Sequence, residues 1–253
     1  MMRWVTHTVG GLAAVILLVP VVILGFQTGP HALLATWNEQ TSRHAMAVTL
    51  QSGLVALAIV GLLGIPTGVA LNGVRHRAWR WLWGTALLIP LLMPPLVLGL
   101  VLAFVLGPAT PMGQWFHTAN TFTGLVLAQV YESLPYFVMA YWGYLQALPV
   151  ARQEEAAVLG KSPWQIFWYV VWPTSRPGLA MAAAMSWARI VGAFGAPIVV
   201  AYHPSGLPVA IWIRLEEAGL PAALALAAWL LLIALPIPVL LGGGVLDAQR
   251  YRE

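Results

Sequence analysis

Apolar residues are gathered along this chain into six long blocks, at about 8–26, 47–72, 81–106, 122–147, 177–201 and 218–242, with most polar residues in the gaps between them. A helix needs about 20 predominantly apolar residues to cross the hydrocarbon core of a bilayer. Each block is close to or beyond that length, so the pattern predicts an all-α polytopic membrane protein with six transmembrane helices in a single domain over 1–253. Pro and Gly interrupt several blocks, as in Gly64-Ile65-Pro66 and in Pro90, Pro94 and Pro95. Membrane helices tolerate such residues where neighbours re-satisfy the freed backbone groups. The proline cluster predicts that the third helix is broken into offset pieces. The first block follows Arg3 and His7 as a signal peptide would, yet it exceeds an h-region of about 7–15 residues and no small-residue cleavage site follows; it reads as a retained helix.

The longest polar interruption, 148–176, carries its own folding signals. Pro149 suits a helix start, and Gly160 falls where a left-handed C-terminal cap would end that helix. Ser162, Pro163 and Gln165 then form an N-cap, a first-turn proline and an S-x-x-Q capping box ahead of the apolar run Ile166 to Val171. Two short helices meeting at a sharp bend are predicted. Upstream, Thr41-Ser42 could cap the helix entering the second block.

Charge placement supplies orientation. Cytoplasmic loops hold the excess of Lys and Arg. Arg3, Arg75, Arg77, Arg80, Arg152, Lys161, Arg176, Arg250 and Arg252 share one side of a six-span layout, whereas Arg43 and Arg214 fall on the other. Both termini and the 148–176 loop are therefore expected in the cytoplasm. Tryptophans near block borders, among them Trp37, Trp81, Trp115, Trp172 and Trp212, fit interfacial aromatic belts.

Composition narrows the function classes. At 60% hydrophobic and 8% charged, the chain has too few charges to clothe a soluble domain. The net charge of +4 is scattered singly between apolar blocks, which argues against nucleic-acid binding. The absence of Cys excludes disulfides and thiol chemistry, and the dispersed His residues do not form a metal-ligand cluster. Gly160-Lys161-Ser162 has the tail of a phosphate-binding loop, but its first glycine position is Glu155 and no strand pattern precedes it, so this chain is not expected to bind ATP. No serine has a base at helical spacing within the spans, and no enzyme constellation emerges.

Two ionisable residues remain inside the blocks, Glu132 and Arg189. A charge at mid-membrane costs about 2.5–3.5 kcal/mol on insertion scales and turns toward the bundle interior, water or a partner. Glu132 and Arg189 are thus either a structural pair or groups that line or gate a path.

The 148–176 stretch resembles the cytoplasmic "EAA" loop of bacterial ABC-importer permeases through Glu154, Ala156, Gly160 and Pro173, with Val170 where that family usually has Ile and Glu155 where it usually has Ala. Spacing from Gly160 favours Glu154 as the functional carboxylate, while adjacency to Ala156-Ala157 favours Glu155. Further on, Ser186 to Pro197 and Gly206 to Trp212 resemble the molybdate, tungstate and sulfate branch, which reads R-A-L-G-E-F-G-A and then T-L-P-L-A-I-Y. Arg189, Gly192, Phe194 and Gly195 match in register; Ala193 stands where a Glu is expected. Glu132 is expected to supply that carboxylate from the fourth helix. Phe194 to Pro197 is also similar to permeases for polyamines, iron or thiamine, and phosphonate is a further alternative.

The resemblance implies a type I ABC importer permease in the inner membrane, working by alternating access, with no cofactor on this chain and with ATP and Mg on separate ATPase subunits. Its coupling loop would comprise Glu154, Glu155, Ala156, Gly160, Ser162, Pro163, Trp164 and Pro173; its path would include Glu132, Arg189, Gly192, Phe194 and Gly195. The implied partners are the ATPase, a second permease copy (a homodimer ahead of a heterodimer), a periplasmic or lipid-anchored solute-binding protein and the bilayer. The rival reading is an ATP-independent secondary transporter or channel that uses Glu132 and Arg189 as its coupling pair.

Overall fold

The computed structural model describes residues 2–74, 76–116 and 118–242. Of the residues used above for orientation, Arg75, Arg250, Arg252 and the side chain of Arg3 lie outside this description. Every regular element among the described residues is helical. In order they are α1 (Met2–Gln27), α2 (Pro30–Asn38), α3 (Gln40–Gly73), α4 (Arg77–Leu92), α5 (Pro95–Val105), α6 (Pro111–Phe116) and α7 (Phe122–Gln146). There follow α8 (Ala151–Val158), α9 (Pro163–Ile166), a π-helical turn at Phe167–Val171, α10 (Trp172–Val191), α11 (Gly195–Val200), α12 (Leu207–Ala218) and α13 (Leu220–Ala234).

Apolarity tracks position in the bundle. Among the described residues, His7–Gln27, Gln40–Gly73 and Leu220–Gly242 are each long and apolar enough to cross a bilayer. The pair α4 and α5, bent by 105°, meets the same measure as one broken span. The remaining blocks, represented by α7 and α10, are long but too polar to qualify. The reason lies in their surroundings. α7 packs against α3, α10, α11 and α4, and a helix enclosed by protein is not required to be apolar on every side. The α3–α7 contact is close because α3 turns small residues toward aromatic ones. A Cβ added at Gly64 would lie 2.3 Å from the Phe137 ring, and one at Gly68 would lie 2.8 Å from Tyr141. Phe137, Tyr141, Val60, Ala182 and Ile190 form the buried centre of this packing.

Several boundaries differ from those predicted. The break in the third block falls at Met93-Pro94, as the prolines require. In the fifth block the break is at 192–194, where α10 ends on Gly192 and α11 restarts at Gly195. The gaps between the first and second blocks and between the fifth and sixth contain α2 and α12, so both gaps are helical in large part. The helix that enters the second span begins at Gln40 behind Glu39 with no side-chain cap, and the Ser42 hydroxyl donates to the Glu39 carboxylate at 2.6 Å instead. On the same face Arg214 of α12 forms an ion pair with Glu39, and the Leu207 N–H donates to the Thr49 hydroxyl at 2.6 Å, which together fasten α12 to α3.

Candidate functional site

The 148–176 stretch folds into a bent, exposed element. α8 starts at Ala151, two residues beyond Pro149, and carries Glu154 in its first turn. Its end is a Schellman motif: the Lys161 N–H donates to the Ala156 carbonyl at 3.1 Å and the Gly160 N–H to the Ala157 carbonyl at 3.0 Å. Gly160 has φ +78°, a left-handed conformation that disfavours any residue with a Cβ. The capping box then forms in full: the Gln165 N–H donates to the Ser162 hydroxyl at 3.3 Å, and the Ser162 N–H donates to the Gln165 side-chain carbonyl at 3.0 Å. These paired hydrogen bonds fix the angle between α8 and α9.

α9 does not end as a separate helix. It continues through the π-helical turn into α10, so the second arm of the bend and the fifth span are one continuous rod. Pro173 gives the widened turn a cause. It has no N–H to offer residue 169, and its ring crowds that carbonyl; a π turn immediately upstream relieves the clash. On this rod the rings of Trp164, Phe167, Trp168 and Trp172 cluster through edge-on, tilted and stacked contacts, with ring centroids 5.3–6.2 Å apart. With Gly61, Ile65 and Val69 of α3 they line an apolar groove of about 710 Å³. Glu154 and Glu155 are both exposed, as are Gly160, Ser162, Pro163 and Pro173, while Ala156 is half-buried. Large apolar side chains are left uncovered here too: Val158 is 88% exposed, Leu159 78% and Trp164 68%.

The second set of residues meets inside the bundle. Glu132 of α7 is fully buried, with one carboxylate oxygen 3.0 Å from Nη2 of Arg189 and the other accepting from the Ala196 N–H at 3.1 Å. One side chain therefore bridges the two sides of the break in the fifth span. The fit at the break is tight: a Cβ added at Gly195 would lie 2.6 Å from the Pro95 Cβ and 2.7 Å from the Leu96 nitrogen. The two broken spans thus touch where α5 and α11 begin. Gly192 is exposed at the end of α10, and Phe194 packs against Trp212 at 5.8 Å between ring centroids.

Neighbours that sequence reasoning did not single out complete the seam. The Arg189 guanidinium lies 5.6 Å from the centroid of the Tyr136 ring, and Gln129 donates to the Ile190 carbonyl at 3.4 Å. Both share a face with Glu132 by helical spacing, i+4 and i−3, which was the available signal. Ser186 is buried with its hydroxyl unpaired.

The profile of the family described as "Binding-protein-dependent transport system inner membrane component" matches residues 61–243. The chain belongs to that family. It is 31% identical over 222 residues to the molybdenum transport system permease protein ModB of Mycobacterium tuberculosis, which covers 84% of this chain and 81% of the relative. It is likewise 31% identical over 232 residues to the sulfate transport system permease protein CysT of Escherichia coli, with 87% and 83% covered. Among solved structures, a bacterial ABC transporter that imports the acidic polysaccharide alginate superposes with a TM-score of 0.73 over 97% of this chain and 96% of that one, at 18% identity. The MetNI methionine ABC transporter gives 0.68 over 82% and 95%, also at 18% identity. The chain is thus the permease of an ABC importer, a transport subunit that crosses the membrane.

Proposed function

We propose that this permease moves a tetrahedral oxyanion, such as molybdate, tungstate or sulfate, along a path between two copies of itself, driven by separate ATPase subunits. The observation that carries the reading is the α8–α9 bend: a rigidly capped, exposed element with uncovered Val158, Leu159 and Trp164 that is continuous with the fifth span. A partner pressing on α9 would move α10, and with α10 the contact between Arg189 and Glu132. Glu154 or Glu155, with Ala156, Gly160, Ser162, Pro163 and Trp164, would form the docking face, and Pro173 would set the turn that joins it to the membrane. ATP and Mg would be held by the ATPase; a periplasmic or lipid-anchored binding protein would deliver the anion to the opposite face. Both termini and the bend would lie in the cytoplasm, a reading supported by the placement of Lys and Arg along the chain. Support for the substrate class comes from the molybdenum and sulfate relatives and from the half-exposed Arg189 in the bundle.

Uptake of labelled molybdate and sulfate into proteoliposomes, with the ATPase and binding protein present or omitted, tests this reading. Uptake that requires ATP and both partners is expected. Uptake by the permease alone, driven by an ion gradient, would instead establish the secondary-transporter alternative.

A further inference from the structure

We propose that Glu132 is a built-in competitor of the transported anion for Arg189, so that this carboxylate sets how tightly the path holds its substrate. The inference rests on the oxyanion reading above and adds to it a residue with a specific role.

The geometry is that of an exchangeable pair. A guanidinium presents five N–H donors in a planar fork. Here Glu132 approaches only one end of it, at 3.0 Å from Nη2, and that carboxylate oxygen makes no aligned hydrogen bond. The Arg189 Nε is buried and also lacks a hydrogen-bond partner. The two side chains differ in access: Arg189 is 27% exposed and Glu132 0%. An anion would therefore meet the partly exposed Arg189 side chain before the enclosed carboxylate. When an anion takes Nη2, Glu132 gives up that contact while its other oxygen stays held by the Ala196 N–H.

The chemistry explains why such a competitor is useful. An unneutralised guanidinium in a low-dielectric bundle would hold a dianion strongly, through charge-assisted hydrogen bonds. A path has to bind well enough to admit its ion and weakly enough to release it. Glu132 weakens the site by keeping the empty guanidinium paired. Because the carboxylate comes from α7 and not from position 193 within the break, the exchange also changes a contact between α7 and the end of α10. Anion arrival is thereby linked to the joint in the fifth span.

The test is equilibrium binding of labelled molybdate and sulfate to the purified permease–ATPase complex without binding protein. Glu132→Gln keeps the side-chain shape and an acceptor for Ala196, and it is expected to tighten binding about tenfold. In the double variant Glu132→Gln with Arg189→Gln, that gain disappears. Where the single Gln variant does not assemble, Glu132→Asp carries the test, since withdrawing the carboxylate should tighten binding about threefold. Equal affinity in wild type and whichever single variant assembles, or tight binding retained in the double variant, overturns the proposal. Uptake by the unmodified importer is measured alongside. Its absence for both anions defeats the substrate reading, whereas uptake with unchanged variant affinity defeats the competitor role alone.

Discussion

The α8–α9 bend and the α7–α10 seam use polar residues in opposite ways. In the bend, polar groups satisfy one another locally, through the Schellman hydrogen bonds and the Ser162–Gln165 box, and apolar side chains are left facing outward. In the seam, a buried carboxylate meets its partners only across long sequence separations, Glu132 being held by the partly exposed Arg189 and by the Ala196 N–H. The first arrangement makes a stiff element whose shape does not depend on the rest of the bundle. The second makes a contact that changes whenever the helices carrying it move. In the proposed function the first serves as a lever and the second as a responsive joint; the continuous rod from Pro163 through Val191 connects them.

The contrast predicts where substitutions do damage, beginning with the largest effect. Arg189→Ala leaves a buried carboxylate unpaired and is expected to cost about 3–5 kcal/mol in unfolding of the detergent-solubilised protein, with Glu132→Gln added in the same chain restoring most of it. A stable single variant would show that the pair is not a closed one. Gly195→Ala forces a Cβ onto Pro95 and Leu96 and is expected to destabilise by about 1–3 kcal/mol. Gly192→Ala provides the control: its Cβ would meet only the Ala188 carbonyl, at 3.2 Å, and its effect on the melting temperature should be the smaller of the two.

In the bend, Ser162→Ala removes the cap at about 1 kcal/mol. The expected readout is local: faster amide exchange at Gln165 and Ile166 with little change in global melting. The smallest effect concerns Glu39. Its hydrogen bonds from Arg214 and then Ser42 hold its carboxyl below the ordinary value of 4.5. A lowered value means that the folded state is favoured above pH 4.5 and that this contribution fades as pH falls through the depressed titration. With Glu39 well exposed, solvent screening leaves the contribution at a few tenths of a kcal/mol. Glu39→Gln should flatten that part of the stability profile and leave neutral-pH stability nearly unchanged.

Much of this layout is legible in the residues. Gly160, Ser162, Pro163 and Gln165 specify the bend because capping is a local interaction, decided within a few positions. The proline cluster marks the break before α5 for the same reason. Glu132 and Arg189 stand out because charge is costly in a bilayer, and their pairing follows once each needs a partner. Other features are not written locally. The second break, at 192–194, depends on α11 packing against α5 through Gly195, which no window of sequence reveals. The run from α9 into α10 arises because a π turn absorbs Pro173, a residue that by itself reads as a stop. Helices α2 and α12 occupy stretches read as loops, since their stability comes from packing against α3 and α13 and not from a long apolar period.

The account's central claim is that the bend transmits force from a separate ATPase to the seam. The most direct measurement is the ratio of anion imported to ATP hydrolysed in proteoliposomes containing the full importer with Gly160→Val. The left-handed conformation at φ +78° costs a β-branched residue about 1–2 kcal/mol, enough to change the angle of the bend while the spans stay inserted. The account predicts that hydrolysis persists while the import ratio collapses. An unchanged ratio, with the variant at normal levels in the membrane, would contradict it.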